Sequence, residues 1–363
     1  MAADTKECAM LVTSMKTLAG VRSTEPLTAA YRAALRSRTY ATASLNKPAA
    51  PVEIVPVTTV DGARLRVHAY GPADGEVIVL IHGWSCCIEY WHPQINALAD
   101  RYRVICYDQR GHGESTLGRV APCADTLADD LATVLDATLP RGRRAVLVGH
   151  SMGGITLQAW AARYPEQVPD RAAAVVLANT ASKDIRFETD LLPLLNKPLA
   201  VANRPLTVFG RGVRMPMVLA ETLLTAPIPL PGGPMSPLVT AVLKSRVMTR
   251  NATADQAAFA LGIVRSCRPL TRGLHAAALA DMDLGDAAKN LTVPTTVIAG
   301  LHDHLLPERM NRTIVEALKS SGSLADYQVW PTGHLSNVEA ADRFNAELAK
   351  IAASAYRPQA DAV

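Results

Sequence analysis

Five short, nearly uninterrupted apolar runs constrain this chain more than any other feature: Val77 to Ile81, Tyr102 to Tyr107, Ala145 to Val148, Ala174 to Leu177 and Thr295 to Ala299. Each has the length of a strand, and a strand that is apolar on both faces needs cover from a layer on each side. Helix-length stretches separate them, for example Ala124 to Leu139 and Ile155 to Tyr164. This alternation predicts an α/β sheet with right-handed crossovers and helices on both faces. Val52 to Thr59 and Arg64 to Tyr70 flank Asp61-Gly62, a turn pair that predicts an antiparallel hairpin ahead of the parallel part. Tyr327 to Trp330 predicts the last strand.

The alternation breaks between about residues 183 and 287. Nine prolines fall between Pro193 and Pro237, and helical patterns run over Val239 to Met248 and Ala254 to Val264. An interruption of roughly a hundred residues is too long for a loop and predicts a helical cap. The expected layout is therefore a basic N-terminal extension over 1–50, a core over 51–182 and 288–357, and a cap over 183–287.

Charge supports that division. Residues 1–50 carry seven Lys and Arg against three acids, which equals the whole net charge of +4, and the remainder balances. A neutral main body argues against nucleic acid as a partner. Leu27, Tyr31, Ala34 and Leu35 share one helical face of the extension, predicting a surface-docked or mobile segment and leaving room for peripheral membrane contact. No run is long and apolar enough to predict a membrane span, and the apolar stretch Ala9 to Val12 is too short for a secretory signal. The six cysteines show no CxxC spacing, and Cys106 lies inside an apolar strand. Reduced thiols and a cytoplasmic location are the simplest expectation.

Chemistry-bearing residues fall at the strand ends, where open α/β sheets gather their functional groups. Val146-Leu147-Val148 runs straight into Gly149-His150-Ser151-Met152-Gly153-Gly154 and then a helical pattern. In such a strand–turn–helix, Gly149 and Gly153 allow a sharp turn with backbone packed close by, and Ser151 is left exposed as a nucleophile. Val79-Leu80-Ile81 ends in His82-Gly83-Trp84, and the Trp84 and Met152 amides form a candidate oxyanion hole. His82 itself reads as structural or pocket-lining. A serine nucleophile needs a base, and the base needs an acid to fix its tautomer. Asp303 follows one strand and His334 follows the last, giving the order Ser151, Asp303, His334. Asp108 and Asp184 are weaker candidates for the acid. His302 and His304, which flank Asp303, read as pocket residues, and the three together do not read as a metal site; no metal and no cofactor are expected.

These motifs, together with Asp108-Gln109-Arg110-Gly111-His112-Gly113-Glu114-Ser115, resemble the α/β-hydrolase superfamily over roughly residues 52–355. The resemblance implies an eight-stranded, mostly parallel sheet flanked by helices, with a helical cap inserted after strand six. Ser151 argues against the superfamily's dehalogenases and epoxide hydrolases, which use aspartate, and against its dienelactone hydrolases, which use cysteine. His82-Gly83-Trp84 paired with Gly149 to Gly154 is more similar to carboxylesterases and monoacylglycerol-type lipases. The expected activity is hydrolysis of a small-molecule carboxylic ester, apolar or lipid-like, through an acyl-enzyme. A carbon–carbon hydrolase, thioesterase, acyltransferase or cofactor-free haloperoxidase on the same residues, and a non-catalytic small-molecule receptor, stay open, as does the oligomeric state.

Overall fold

The computed structural model describes residues 25–189, 206–208, 211–213, 241 and 244–357. Eight strands form one sheet: β1 (Val52–Thr58), β2 (Arg64–Tyr70), β3 (Val77–Ile81), β4 (Arg103–Tyr107), β5 (Ala145–His150), β6 (Ala172–Ala178), β9 (Thr295–Gly300) and β10 (Leu324–Trp330), in the order β1-β2-β4-β3-β5-β6-β9-β10. β2 pairs antiparallel with both β1 and β4, and every later pairing is parallel. The Asp61-Gly62 turn joins the first two strands, with Gly62 at φ +85°. All eight expected strands are present.

Alternation along the central strands explains the two-sided burial. Ile78 and Leu80 enter one apolar cluster, with Trp91, Trp330 and Phe344, while Val77, Val79 and Ile81 enter the other, with Trp160 and Ile314. Burying each large side chain of this kind contributes roughly 1.5–3 kcal/mol. The first cluster is covered by α2 (His92–Leu98), α7 (Ala254–Ser266) and α11 (Ala341–Ala355), and the second by α3 (Ala124–Thr138), α4 (Met152–Arg163) and α9 (Glu308–Ser321). Shorter helices are α5 (Gln167–Arg171), α6 (Ile185–Glu188) and α10 (Ser336–Glu339).

The cap is inserted after strand six. The described elements between β6 and β9 are α6, α7, α8 (Pro269–Asp281) and a small antiparallel hairpin of β7 (Leu206–Val208) and β8 (Arg211–Val213), which the strand-poor sequence did not predict. Of the helix expected at 239–248, residues 239, 240, 242 and 243 lie outside the described residues, and residues 241 and 244–246 are helical. Helix α7 begins on a capping box in which Thr253 and Gln256 bond each other's backbone N–H, and α8 begins on Pro269.

Residues 25–50 are docked. Leu35, Tyr40 and Leu45 join the first core cluster, and Tyr40 meets Phe259 of α7 edge-on at 5.6 Å. The buried face of α1 (Glu25–Ser37) differs from the expected one: Thr28 and Leu35 are covered, whereas Leu27 and Ala34 point outward. Ion pairs explain that rotation. Arg36 reaches Glu89 at 2.8 Å and Glu114 at 2.6 Å, and Glu25 holds Arg32 and Arg268, so polar contacts fix which side faces the core. Among the described residues, no helix is long and apolar enough to cross a membrane.

Candidate active site

Register places the strand ends side by side: Ile81 stands opposite Gly149, His150 opposite Ala178, Ala178 opposite Ile298, and Trp330 opposite Gly300. Side chains just beyond these positions therefore converge. Ser151 sits at the start of α4 with φ +54° and ψ −119°, a strained conformation for a residue with a Cβ. Its backbone is held from both sides, since its N–H donates to Ala178 O at 2.9 Å and its carbonyl accepts Thr180 Oγ1 at 2.8 Å. A Cβ on Gly149 would lie 2.5 Å from Gly153 O, and one on Gly153 would lie 2.0 Å from Ile81 O. Only glycine fits those two positions without moving backbone.

A Cβ on Gly83 would stand 2.9 Å from the Ser151 Cβ, so the loop after β3 lies directly against the nucleophile turn. Among the described residues, neither the Trp84 nor the Met152 N–H is taken by a backbone carbonyl. Met152 opens a helix whose free N–H groups favour negative charge. The Trp84 and Met152 side chains join Leu127, Ile155, Leu279 and Met282 in an apolar cluster shared between core and cap. Trp84 is also anchored to the cap, its Nε1 donating to Arg272 O at 3.0 Å.

Asp303 and His334 are joined. The Asp303 Oδ2 accepts His334 Nδ1 at 2.8 Å and Asn179 Nδ2 at 3.1 Å, while Oδ1 accepts the Leu305 and Leu306 N–H groups at 2.9 and 2.8 Å. Both side chains are buried. A neutral imidazole that donates from Nδ1 carries its lone pair on Nε2. The His334 ring lies 4.9 Å from the ring of His150, the residue preceding Ser151, and His150 Nε2 is 2.8 Å from the His334 carbonyl. Among the described residues no hydrogen bond joins Ser151 Oγ to His334 Nε2, a contact that is often long before substrate binds.

The other histidines have separate tasks. His82 Nε2 accepts the Gln109 N–H at 3.0 Å and Nδ1 donates to Gly83 O at 2.7 Å, so His82 ties the loops after β3 and β4 together. Burial pushes its pKa down to about 4. His150 is buried, and burial with the neighbouring His334 holds it well below the ordinary histidine range. His112 accepts the Ser85 N–H, and His275 of α8 reaches Arg110 O at 3.0 Å. His302 is exposed beside the acid, and His304 is half-buried. Asp108 accepts the Ile88 and Glu114 N–H groups and meets Arg66, while Arg110 is clasped by Asp130 and Asp61. Neither Asp108 nor Asp184 touches His334. Among the described residues no group of three or more His, Cys, Asp or Glu is arranged to hold a metal ion.

Sequence reasoning passed over two residues of this site. Asn179 directly follows β6 at φ +48° and bridges Asp303, at 3.1 Å, to Gly333 O at 3.2 Å. Its signal was a lone amide straight after an apolar strand, at the kind of position already used to select Asp303. Glu339 accepts the Gly333 N–H at 3.0 Å from the start of the C-terminal helical region, where no local pattern marked it.

The chain is similar to several known proteins. A non-heme chloroperoxidase of Streptomyces lividans is 29% identical over 283 residues, 77% of this chain and 93% of that protein. A 3-oxoadipate enol-lactonase 2 of Acinetobacter baylyi is 27% identical over 288 residues, 79% of this chain and 92% of its own. The crystal structure of an enol-lactonase from Burkholderia xenovorans superposes with a TM-score of 0.60 at 24% identity, covering 83% of this chain and 99% of that one, which speaks to the fold alone. A family model described as the alpha/beta hydrolase fold matches residues 76–341, nearly the whole core with its cap. The chain belongs to the alpha/beta hydrolase fold family.

Proposed function

We propose that the protein is a serine hydrolase cleaving carboxylic esters through an acyl-enzyme, with Ser151 as nucleophile, His334 as base and Asp303 as the acid that orients it. The observation carrying this reading is the buried Asp303–His334 bond: with Nδ1 committed to the carboxylate, Nε2 is the nitrogen left to take a proton. His334 removes the Ser151 proton as Oγ adds to the ester carbonyl. The Trp84 and Met152 amides hold the oxyanion. His334 then gives that proton to the departing alcohol, leaving the acyl group on Ser151. Water, deprotonated by His334, releases the acid and restores the serine. The apolar cluster of Trp84, Met152, Leu127, Ile155, Leu279 and Met282 beside those amides supports an apolar acyl or alcohol group.

The same reading divides the chain into the extension over 1–50, the core and the cap over 183–287. Free thiols at Cys86, Cys87, Cys106, Cys123 and Cys267 support a reducing, cytoplasmic setting.

A fluorophosphonate probe tests the nucleophile. The wild type should label and Ser151→Ala should not; equal labelling of the two would place the nucleophile elsewhere. A panel of p-nitrophenyl esters of increasing acyl length then tests substrate class. A second reading draws on the chloroperoxidase relative: hydrogen peroxide replaces water in the second step and leaves as the peracid. Halide oxidation that needs both peroxide and a carboxylic acid, and disappears in Ser151→Ala, would favour it.

A further inference from the structure

The loop that carries His334 is held by four separate pieces of the chain. The Thr332 carbonyl accepts the His302 N–H at 2.9 Å, and the His334 N–H donates to Val247 O at 2.7 Å. The Gly333 carbonyl accepts Asn179 Nδ2 at 3.2 Å, and the Gly333 N–H donates to Glu339 Oε1 at 3.0 Å. Of these four partners, only Glu339 carries a full charge. Its second oxygen, Oε2, accepts the Thr249 N–H at 2.7 Å. One carboxylate therefore bridges the base loop and residues 247–249, the segment that leads into α7.

That segment is pressed against the loop. A Cβ on Gly333 would lie 2.7 Å from both Met248 Cα and Val247 O, so the two backbones touch with no side chain between them. Gln256 of α7 reinforces the contact, its Nε2 donating to the Val338 carbonyl at 2.9 Å. Burial pushes the Glu339 carboxyl above the usual carboxylate range, while the Thr249 and Gly333 N–H groups oppose that shift. The half-buried carboxylate has both oxygens on backbone amides of two segments, and because charge-assisted bonds are short and directional it fixes how those segments lie against each other.

We propose that Glu339 is a positioning residue that registers the His334 loop against residues 247–249, the cap segment that leads into α7, so that the base is aligned when that segment is seated. The proposal rests on the reading of His334 as the base. It predicts that changes in the cap reach the base through Val247 to Thr249 and Glu339, with no direct contact between cap and imidazole required.

Glu339→Gln in the full chain tests this, because the amide keeps one acceptor oxygen but turns an N–H donor toward the other backbone N–H. Two measurements apply. The low-field proton resonance of His334 Nδ1–H reports the Asp303–His334 bond without any substrate. The ratio of kcat/KM for a p-nitrophenyl ester to that for an alkyl ester of the same acid reports proton delivery to the leaving group, because an alkoxide needs it more than a nitrophenolate. A loss of folded protein lowers both rates equally and leaves the ratio alone. The expected result is a shifted or broadened resonance and a ratio raised about tenfold, a fraction of what general acid–base catalysis supplies. An unchanged resonance overturns the proposal, as does an unchanged ratio. If the wild type turns over neither ester, the hydrolase reading fails, and the resonance alone still judges Glu339. Should Glu339→Gln not fold, Glu339→Asp keeps the charge, is too short to span both amides and carries the same two measurements.

Discussion

The turn of the proposed nucleophile and the loop of the proposed base are built in opposite ways. Gly149, Ser151 and Gly153 lie within five consecutive positions, and their geometry follows from which residues there lack a Cβ. His334 is set by His302, Asn179, Val247 and Glu339, of which three come from other parts of the chain, Asn179 lying 154 residues from Gly333. The first arrangement depends on steric exclusion and tolerates little change in its own residues. The second depends on hydrogen bonds between distant segments, so it can be weakened one contact at a time. The nucleophile should therefore fail abruptly and the base by degrees.

The largest effect should come from breaking the bond at the centre of the base side. Asp303→Asn keeps the shape but can reverse the polarity of the contact with His334 Nδ1, stabilising the wrong tautomer. Ester turnover should fall by about 10⁴-fold, with the melting temperature little changed. A loss below tenfold would mean that another acid orients His334.

Acid should weaken the nucleophile side next. His82 holds the Gln109 loop only while neutral at Nε2, and Gln109 in turn accepts Thr156 Oγ1 of α4 at 2.8 Å. In the unfolded chain His82 takes a proton below the ordinary value of 6.5, whereas the folded protein resists until about 4. Its contribution to stability is therefore complete above pH 6.5 and declines as pH falls from 6.5 to about 4. At about 1.4 kcal/mol per unit, the loss from this residue is about 3 kcal/mol. Urea unfolding of the wild type and of His82→Gln at several pH values across that window isolates it, since other buried histidines such as His150 are held low as well. A difference between the two that does not change with pH would show that folding does not resist the protonation of His82, and hence that the loop is held some other way.

Legibility follows the same division. The five apolar runs fixed the sheet because continuous hydrophobicity has one architectural solution, and the GxSxG turn carried its glycines within one short window. The order of Asp303 and His334 and their place after strands predicted that the two would meet, and the structure joins them at 2.8 Å. Asn179 offered only its place straight after an apolar strand and Glu339 offered no local pattern, because their bonds to Asp303 and Thr249, far away in sequence, leave no periodicity or spacing. The buried face of α1 was misjudged for a related reason: Arg36, Glu89 and Glu114 are far apart in sequence, and their pairing turned the helix. Helical periodicity identifies an apolar stripe but not the ion pairs that can outweigh it.

Asn179→Ala is the finest test of the difference between the two regions. Its Nδ2 serves the acid and the base loop together, at 3.1 Å to Asp303 Oδ2 and 3.2 Å to Gly333 O. Alanine would leave two buried acceptors each short of a donor, a cost of about 1–3 kcal/mol. If that cost falls on alignment of the base, turnover drops about 10- to 100-fold while fluorophosphonate labelling of Ser151 slows in proportion, since labelling also needs His334 to take the serine proton. The nucleophile turn should stay intact, because Ser151 is held by Ala178 O and Thr180 and not by Asn179. Alanine at this position also meets a backbone at φ +48°, which Asn tolerates better, so Asn179→Gly serves as the control that removes the amide without adding strain. Equal losses in the two variants would assign the effect to the hydrogen bonds; a loss confined to Asn179→Ala would assign it to the backbone, and the base would then be less dependent on distant contacts than its four-way mounting implies.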